Sequence, residues 1–278
     1  MEDKMSRIII LGARGMLGQM VRKYFTMLNY EVIVVSTWFE ANNFMAFIKE
    51  VNAIESGVVI NCIGKIKQKS CDIAELLWSN SILPLELTRS LKSDHLLIQP
   101  STDCVFNGQS SEPYLAGVKS DAQDIYGWSK SLAETAVINR ENSLIMRVSI
   151  IGPDYNSNKG LLSWFLSNPG RSHLKGFTNH LWNGITTLEW CKKLDEMITT
   201  KDNLVNLNKR GLIQLGTENI YSKYKMLCKF QEVFKTDFEI TPFETEESIN
   251  RCLRPMIISD SLEEQLVELR DFMDLDKL

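Results

Sequence analysis

The sequence predicts an α/β protein with a doubly wound parallel sheet, and two observations carry that prediction. Short apolar runs rich in β-branched residues recur along the first half of the chain, and longer stretches with helical periodicity separate them. This alternation is typical of a parallel sheet that helices cover on both faces. At 278 residues, 44% of them hydrophobic, the chain is long enough to bury one substantial core.

Five strands are predicted in the first half of the chain. The first is Arg7–Leu11, which leads directly into a glycine-rich turn and a helix. Further apolar runs follow at residues 31–36, 57–62, 96–99 and 144–148. The intervening stretches at residues 72–91 and 125–140 are long enough to form helices that connect parallel strands.

The pattern changes after about residue 150. Gly, Pro, Asn and Ser become frequent, and amphipathic stretches follow at residues 187–200, 217–234 and 262–273. We therefore predict a sheet domain at residues 1–150 and a smaller, mostly helical lobe at residues 151–278, interleaved with the first. The default prediction for Trp164, Trp182 and Trp190 in this lobe is core packing.

Composition excludes several classes of protein. A formal net charge of −4 gives no basic field, so no nucleic-acid partner is expected. The charged opening residues and the absence of a long apolar run speak against a secretory signal or a membrane span, which predicts a cytoplasmic protein without a membrane partner. Six cysteines without close pairing and three scattered histidines predict reduced thiols and no metal site.

The turn after the first strand carries a phosphate-binding pattern. It reads Gly12-Ala13-Arg14-Gly15-Met16-Leu17-Gly18 and opens the first helix. In such a turn one glycine permits the bend, another lets a pyrophosphate approach the backbone, and the last allows close packing of helix on strand. The helix N-terminus adds free N–H groups and a positive dipole end. A turn without a ligand is the alternative, but the position after the first strand favours a dinucleotide-binding Rossmann fold.

The end of the second strand bears on the choice of cofactor. It reads Val34-Val35-Ser36-Thr37, so the strand offers no carboxylate of the kind that holds the ribose 2′-hydroxyl of NAD. Arg14 could add positive charge, unless it is only a solvated surface residue, and both hydroxyls could donate hydrogen bonds to a 2′-phosphate. NADPH is the predicted cofactor, with NADH as the alternative.

A tyrosine and a lysine stand four residues apart at Tyr126 and Lys130, on one face of a predicted helix. A free phenol has a pKa of about 10, and a neighbouring ammonium would lower it. Tyr126 could then protonate a carbonyl oxygen while hydride arrives at the carbon. Lys130 could also hold the nicotinamide ribose. Alone the pair is a weak signal, because exposed helices carry it by chance.

Hydroxyls follow the fourth strand at Ser101 and Thr102. The carboxyl end of a parallel strand is where doubly wound sheets bind ligands, so Thr102, helped by Ser101, could polarise a substrate carbonyl. In isolation either hydroxyl would be an ordinary turn or capping residue. In this order, the glycine turn, the hydroxyls and the Tyr–Lys helix together predict a hydride-transfer enzyme.

These segments resemble the dTDP-4-dehydrorhamnose reductase family of extended short-chain dehydrogenases, over essentially the whole chain. Residues 59–64, Glu134, Arg147 and Arg254-Pro255 also carry the resemblance. It implies a nucleotide-sugar substrate and leaves a homodimer open. The reduction itself requires no metal, although the resemblance allows one, as in some members of the family. Thr102, Tyr126 and Lys130 would be catalytic. The residues expected at the cofactor are Gly12, Arg14, Gly15, Met16, Leu17, Gly18, Ser36, Cys62, Ile63, Gly64, Tyr126 and Lys130.

Two departures from the family shift the expected substrate. Ala116 stands where the family usually has an acidic residue, and residues 61–68 and 176–187 resemble a sub-branch found among polysaccharide-antigen enzymes. That resemblance implies UDP-linked N-acetylated 6-deoxy-4-ketohexoses in surface polysaccharide precursor synthesis.

The same scaffold also supports dehydratases and epimerases, so the fold alone does not select reduction. A dehydratase is disfavoured, because Cys104 follows Asp103 where a dehydratase has a carboxyl acid. An epimerase of the same fold and a non-catalytic NADP-binding regulatory protein stay open as alternatives.

Overall fold

The computed structural model describes residues 7–37, 39–40, 42–66, 72–157, 159–199 and 211–274. Its strands in chain order are β1 (Arg7–Leu11), β2 (Glu31–Val34), β3 (Val58–Asn61), β4 (Leu96–Thr102), β5 (Ser143–Val148), β6 (Ile150–Ile151), β7 (His173–Phe177), β8 (His180–Trp182), β9 (Ile185–Thr186), β10 (Leu212–Thr217), β11 (Tyr221–Ser222), β12 (Glu239–Phe243), β13 (Ile249–Asn250) and β14 (Ile257–Ser259).

The helices lie between these strands or groups of strands along the chain. They are α1 (Met16–Met27), α2 (Phe44–Ala53), α3 (Ile73–Leu77), α4 (Leu83–Ser90), α5 (Ile125–Val137), α6 (Leu161–Leu166), α7 (Thr187–Thr199), α8 (Lys223–Phe234) and α9 (Leu262–Asp274). A π-helical turn at Trp78–Ile82 joins α3 to α4, and a 3₁₀ turn at Asp103–Val105 follows β4.

Seven strands of the described residues form one parallel sheet in the order β14-β10-β5-β4-β3-β1-β2. Helices cover both of its faces. The side chains of β1 show this arrangement, because Ile8 and Ile10 belong to one hydrophobic cluster while Ile9 and Leu11 belong to another. Each of these side chains is fully buried, which stabilises the fold by roughly 1.5–3 kcal/mol apiece. The predicted doubly wound α/β fold is confirmed.

The five predicted strands are all present, with small shifts at their ends. The second ends at Val34, and the fourth runs on through Thr102. The predicted helix at residues 72–91 is interrupted by the π turn. The stretch at residues 217–234 is helical only from Lys223, because its beginning completes β10 and forms β11.

The second half of the chain returns to the main sheet. Its strands β10 and β14 extend the sheet beyond β5, and its remaining strands form the small sheets β11-β8-β13, β12-β7 and β6-β9. Within the described residues no helix is long and apolar enough to cross a membrane. The described cysteines, Cys62, Cys104, Cys191, Cys228 and Cys252, carry free thiols. Thr200 and residues 67–68, which belong to segments named in the sequence predictions, and Cys71, the sixth cysteine, lie outside the described residues.

Candidate active site

The glycine turn has the geometry that a phosphate-binding loop requires. Gly12 adopts φ +80°, and a Cβ there would lie 2.7 Å from the Ile63 side chain. A Cβ at Gly18 would overlap the Gly12 carbonyl oxygen, so this glycine allows the helix to pack closely on the strand. At Gly15 the nearest atom would be 3.6 Å away, which is ordinary contact. The backbone at Gly15 is therefore the part of the turn that a ligand can approach.

The residues after β3 lie beside this turn. The Cys62 N–H donates to the Leu11 carbonyl at 2.9 Å, and the Ile63 side chain rests on Gly12. The sheet order, with β3 next to β1, explains this contact because both strands end at the same edge. The structure thus brings the predicted cofactor residues 62–64 together with the predicted residues 12–18.

Asn80, in the π turn, is a site residue that the sequence reasoning missed. Its side-chain amide donates to the Lys65 carbonyl at 2.8 Å and to the Ser129 hydroxyl at 3.0 Å, and its oxygen accepts from the Lys65 N–H at 2.9 Å. It therefore ties the segment after β3 to the helix that carries Tyr126. The polar run Ser-Asn-Ser inside an apolar helical stretch was the available signal, and π turns frequently mark functional sites.

The end of β2 differs from the sequence prediction. Glu50, on α2, places its carboxylate against the strand end, where it accepts from the Ser36 N–H at 2.8 Å, the Ser36 hydroxyl at 3.1 Å and the Thr37 N–H at 3.1 Å. The prediction that no carboxylate stands there is wrong, because packing of α2 supplies one from fourteen residues along the chain. Arg14 is exposed on the glycine turn, as a residue able to meet a ligand would be.

Tyr126 lies near the start of α5, where close packing holds the helix against the turn after β4. The Asp124 carboxylate caps the helix by accepting from the Gly127 N–H at 2.9 Å. A Cβ at Gly127 would overlap the Cys104 carbonyl oxygen and lie 2.7 Å from Ala122. Glycine at this position therefore lets α5 approach the Thr102 end of β4.

Thr102 and Lys130 complete the cluster. The Thr102 hydroxyl oxygen accepts from the Cys104 N–H at 3.1 Å and lies 3.0 Å from a carboxylate oxygen of Asp103. The Lys130 ammonium donates to the Pro100 carbonyl at 2.7 Å, and burial lowers its pKa to about 8, although Glu134 and Cys62 raise it. The three residues predicted to be catalytic thus lie together at the carboxyl edge of β4.

The pKa of Tyr126 moves opposite to the sequence expectation. Burial raises it well above the ordinary value, nearby Cys104 adds to the rise, and hydrogen bonding with Thr102 opposes it. We expected Lys130 to lower this pKa, and that expectation is wrong because desolvation of the phenolate dominates. The phenol is therefore neutral near pH 7, which is the form that can donate a proton.

A buried ion pair joins α5 to β5 beside the cluster of Thr102, Tyr126 and Lys130. Arg147 and Glu134 form a bidentate pair, with nitrogen–oxygen distances of 2.8 and 2.6 Å. The Ser101 hydroxyl donates to Glu134 at 2.6 Å, so it stabilises this pair and does not help Thr102 as we expected. Arg147 also donates to the Gln214 side chain and to the Ala116 carbonyl.

An open cavity of about 490 Å³ lies in the second lobe beside α8. Its lining includes Trp164, Phe177, His180, Lys175 and Lys223. Lys223 also interacts electrostatically with Asp103 and Cys104, so the cavity borders the turn after Thr102. Burial lowers the pKa of Lys223.

The three tryptophans predicted to pack in the core differ in their exposure to solvent. Trp182 and Trp190 are buried, as predicted, whereas Trp164 is 38% exposed and lines the cavity.

A family model described as the RmlD substrate binding domain matches residues 5–257 of the sequence, which is most of the chain. The chain belongs to this family. No curated protein sequence matches it significantly.

Solved structures place this RmlD-family chain in a known fold. A dTDP-4-dehydrorhamnose reductase from Clostridium acetobutylicum is 21% identical, with a TM-score of 0.79 over 98% of this chain and 100% of that one. The same reductase from Bacillus anthracis, in complex with NADP, is 16% identical, with a TM-score of 0.80 over 96% and 99%. At these identities the likeness establishes the fold.

The fold alone does not select the reaction. A dTDP-glucose 4,6-dehydratase from Bacillus anthracis, in complex with NAD, is 13% identical, with a TM-score of 0.74 over 98% of this RmlD-family chain and 97% of that one. The choice between reduction and dehydration therefore depends on the side chains at the carboxyl edge of the sheet.

Proposed function

We propose that this chain is an NAD(P)H-dependent oxidoreductase that reduces the C4 ketone of a nucleotide-activated 6-deoxysugar. NADPH is its cofactor, and NADH can replace it. One observation carries the proposal. Thr102, Tyr126 and Lys130 lie together at the edge of the sheet where the glycine turn and residues 62–64 also meet, and a cavity borders them.

The residues present fit a nicotinamide dinucleotide. Gly15 leaves backbone open at the start of α1, where a pyrophosphate would bind, and residues 62–64 would line the nicotinamide side. Lys130 would hold the nicotinamide ribose, since its ammonium lies between the end of β4 and Cys62. When bound, the reduced nicotinamide supplies the hydride.

The side chains of this chain supply the proton and orient the ketone. Tyr126 is a neutral phenol at neutral pH, and burial raises its pKa further above the ordinary value; it gives its phenolic proton to the sugar oxygen as the C4 carbon is reduced. Thr102 orients the carbonyl with its hydroxyl. Lys130 stays charged below about pH 8 and stabilises the phenolate that Tyr126 leaves behind.

The residue after Asp103 argues against dehydration. Burial raises the pKa of the Cys104 thiol to about 12, and Asp103 adds to the rise. A thiol held in its protonated form is a poor replacement for the carboxyl acid that water elimination uses. Reduction, which requires only the donor Tyr126, is the reaction that these groups fit.

The cavity in the second lobe fits the nucleotide part of the substrate. Lys175 and Lys223 offer positive charge for a diphosphate, and Phe177 and Trp164 offer aromatic faces for a base. We infer a UDP-linked N-acetylated 6-deoxy-4-ketohexose, used in surface polysaccharide precursor synthesis in the cytoplasm. A homodimer stays a prediction.

The test is oxidation of NADPH and NADH with a panel of UDP- and dTDP-linked 4-keto-6-deoxy sugars. We expect stoichiometric oxidation with at least one sugar and formation of its alcohol. Turnover of a sugar without net cofactor consumption would identify an epimerase instead. Cofactor binding without turnover of any sugar would identify a regulatory protein.

Replacement of Tyr126→Phe tests the proton donor. Because the substitution removes the proposed proton donor, we expect kcat to fall by about 10²- to 10⁴-fold. The Kd for NADPH, measured by nicotinamide fluorescence, should stay nearly unchanged. A Tyr126→Phe variant with normal turnover would show that Tyr126 is not the donor.

A further inference from the structure

The Glu50 carboxylate accepts hydrogen bonds from the donor groups just after β2. One of its oxygens accepts from both the N–H and the hydroxyl of Ser36, and the other accepts from the N–H of Thr37. Both oxygens are therefore engaged, which fixes the side chain against the strand end. Phe47 and Val51, which flank Glu50 on α2, are buried in the core and hold the helix in this position.

Glu50 carries its negative charge at neutral pH. Burial raises its pKa, but hydrogen bonds from Thr37 and Ser36 outweigh that effect, and the net shift is downward. Within the described residues Glu50 forms no ion pair, unlike Glu31 and Glu55, which both pair with Arg7. Among the described residues, only neutral donors contact this charge.

NADH and NADPH would interact differently with the Glu50 carboxylate. The end of the second strand in a Rossmann fold lies at the adenosine ribose, where NADH carries a 2′-hydroxyl and NADPH a 2′-phosphate. A hydroxyl can donate to a carboxylate. The Glu50 carboxylate repels a phosphate. The phosphate would also need hydrogen bonds from Ser36 and Thr37, whose donors are already bonded to Glu50.

We propose that Glu50 is a cofactor-specificity residue that lowers the preference of this chain for NADPH over NADH. Its carboxylate competes with the 2′-phosphate for Ser36 and Thr37, and it accepts a hydrogen bond from the 2′-hydroxyl of NADH. Arg14, exposed on the facing glycine turn, acts in the opposite sense because its charge attracts the phosphate. The inference rests on the proposed function only in requiring that the chain bind a nicotinamide dinucleotide.

The experiment measures Kd for NADPH and NADH by nicotinamide fluorescence, without sugar, in the wild-type chain and in Glu50→Gln. The substitution keeps the shape of the side chain and removes its charge. We expect the ratio of the two Kd values to shift towards NADPH by about tenfold, equivalent to about 1.4 kcal/mol. The Kd for NADH should change little or rise. Glu50→Ala, which empties the strand end, should shift the ratio in the same direction.

Glu55→Gln is the matched control. It removes a carboxylate from the segment that follows α2, but Glu55 pairs with Arg7 at 3.0 Å and does not contact Ser36. Its Kd ratio should equal that of the wild type. An unchanged ratio in Glu50→Gln and Glu50→Ala, or an equal shift in Glu55→Gln, would overturn the role of Glu50. Failure of the wild type to bind either cofactor would instead overturn the proposed function.

Discussion

The pKa values of Lys130 and Tyr126 are shifted in opposite directions, and burial causes both shifts. Taking a charged group out of water disfavours its charged form, so the pKa of the lysine falls and that of the phenol rises. At neutral pH the cluster therefore holds one ammonium and one neutral phenol. This is the protonation state that the proposed roles require, with Tyr126 as proton donor and Lys130 as the cation that stabilises its phenolate.

The pH profile tests this assignment. The Lys130 ammonium predominates below about pH 8 and is lost above it, so kcat/KM for the cofactor should fall as pH rises through about 8. In Lys130→Arg the guanidinium keeps its charge at all of these pH values, so the residual activity should lose this inflexion. A wild-type profile that stays flat up to about pH 9.5, below the ordinary lysine pKa, would contradict the assignment.

The position of α5 depends on the close contact of Gly127 with the turn after β4. Gly127 meets the Cys104 carbonyl, and no side chain fits between the helix and the turn after β4. Gly127→Ala should push α5 away and lower kcat. Overpacking of about 1–3 kcal/mol, offset by a gain of about 1 kcal/mol from helix propensity, should leave the fold less stable by up to about 2 kcal/mol. Urea unfolding and steady-state kinetics measure the two effects.

Gly117→Ala provides the comparison for that substitution. A Cβ at Gly117 would meet nothing within 4 Å, and its backbone lies outside the left-handed region. Its stability should stay within about 0.5 kcal/mol of the wild type or rise slightly, with normal kcat. If both alanine variants behaved alike, the packing of α5 on the Cys104 turn would not be what positions Tyr126.

Elements specified by neighbouring residues were predictable from the sequence. The unit of β1, glycine turn and α1 follows from a local apolar run and from Gly12, whose positive φ only glycine readily adopts. Tyr126 and Lys130 share a face because helical spacing fixes it. These predictions needed no knowledge of distant contacts.

Features that depend on distant packing were not predictable. Glu50 reaches Ser36 only because α2 packs across the sheet, and the strand itself gives no sign of it. The same holds for the rise in the pKa of Tyr126, which burial in the tertiary structure causes. The placement of β10 and β14 beside β5 depends on pairing between the halves of the chain, which periodicity does not encode.

At the scale of the whole molecule, Gln214 on β10 forms hydrogen bonds to residues of both halves of the chain. Its side-chain amide donates to the carbonyls of Tyr114 and Arg254 at 2.9 Å, and its oxygen accepts from Arg147 at 2.9 Å. Gln214 is fully buried, so its side-chain amide has no access to water in place of these partners. We propose that residues 1–150 and 151–278 fold as one cooperative unit around this link and the shared sheet.

Gln214→Leu tests that coupling. It keeps the approximate volume but removes one acceptor from the buried Arg147, which keeps Glu134, and one donor from each of the Tyr114 and Arg254 carbonyls. The free energy of unfolding should therefore fall by roughly 1–3 kcal/mol. Gln231→Leu is the control, because Gln231 also donates to two carbonyls, those of Thr236 and Phe238, but only within its own lobe and with partial exposure. Its loss should be smaller. In both variants urea transitions followed by circular dichroism and by tryptophan fluorescence should coincide, since the sheet spans both halves. Separate transitions in the wild type would show that the halves unfold independently.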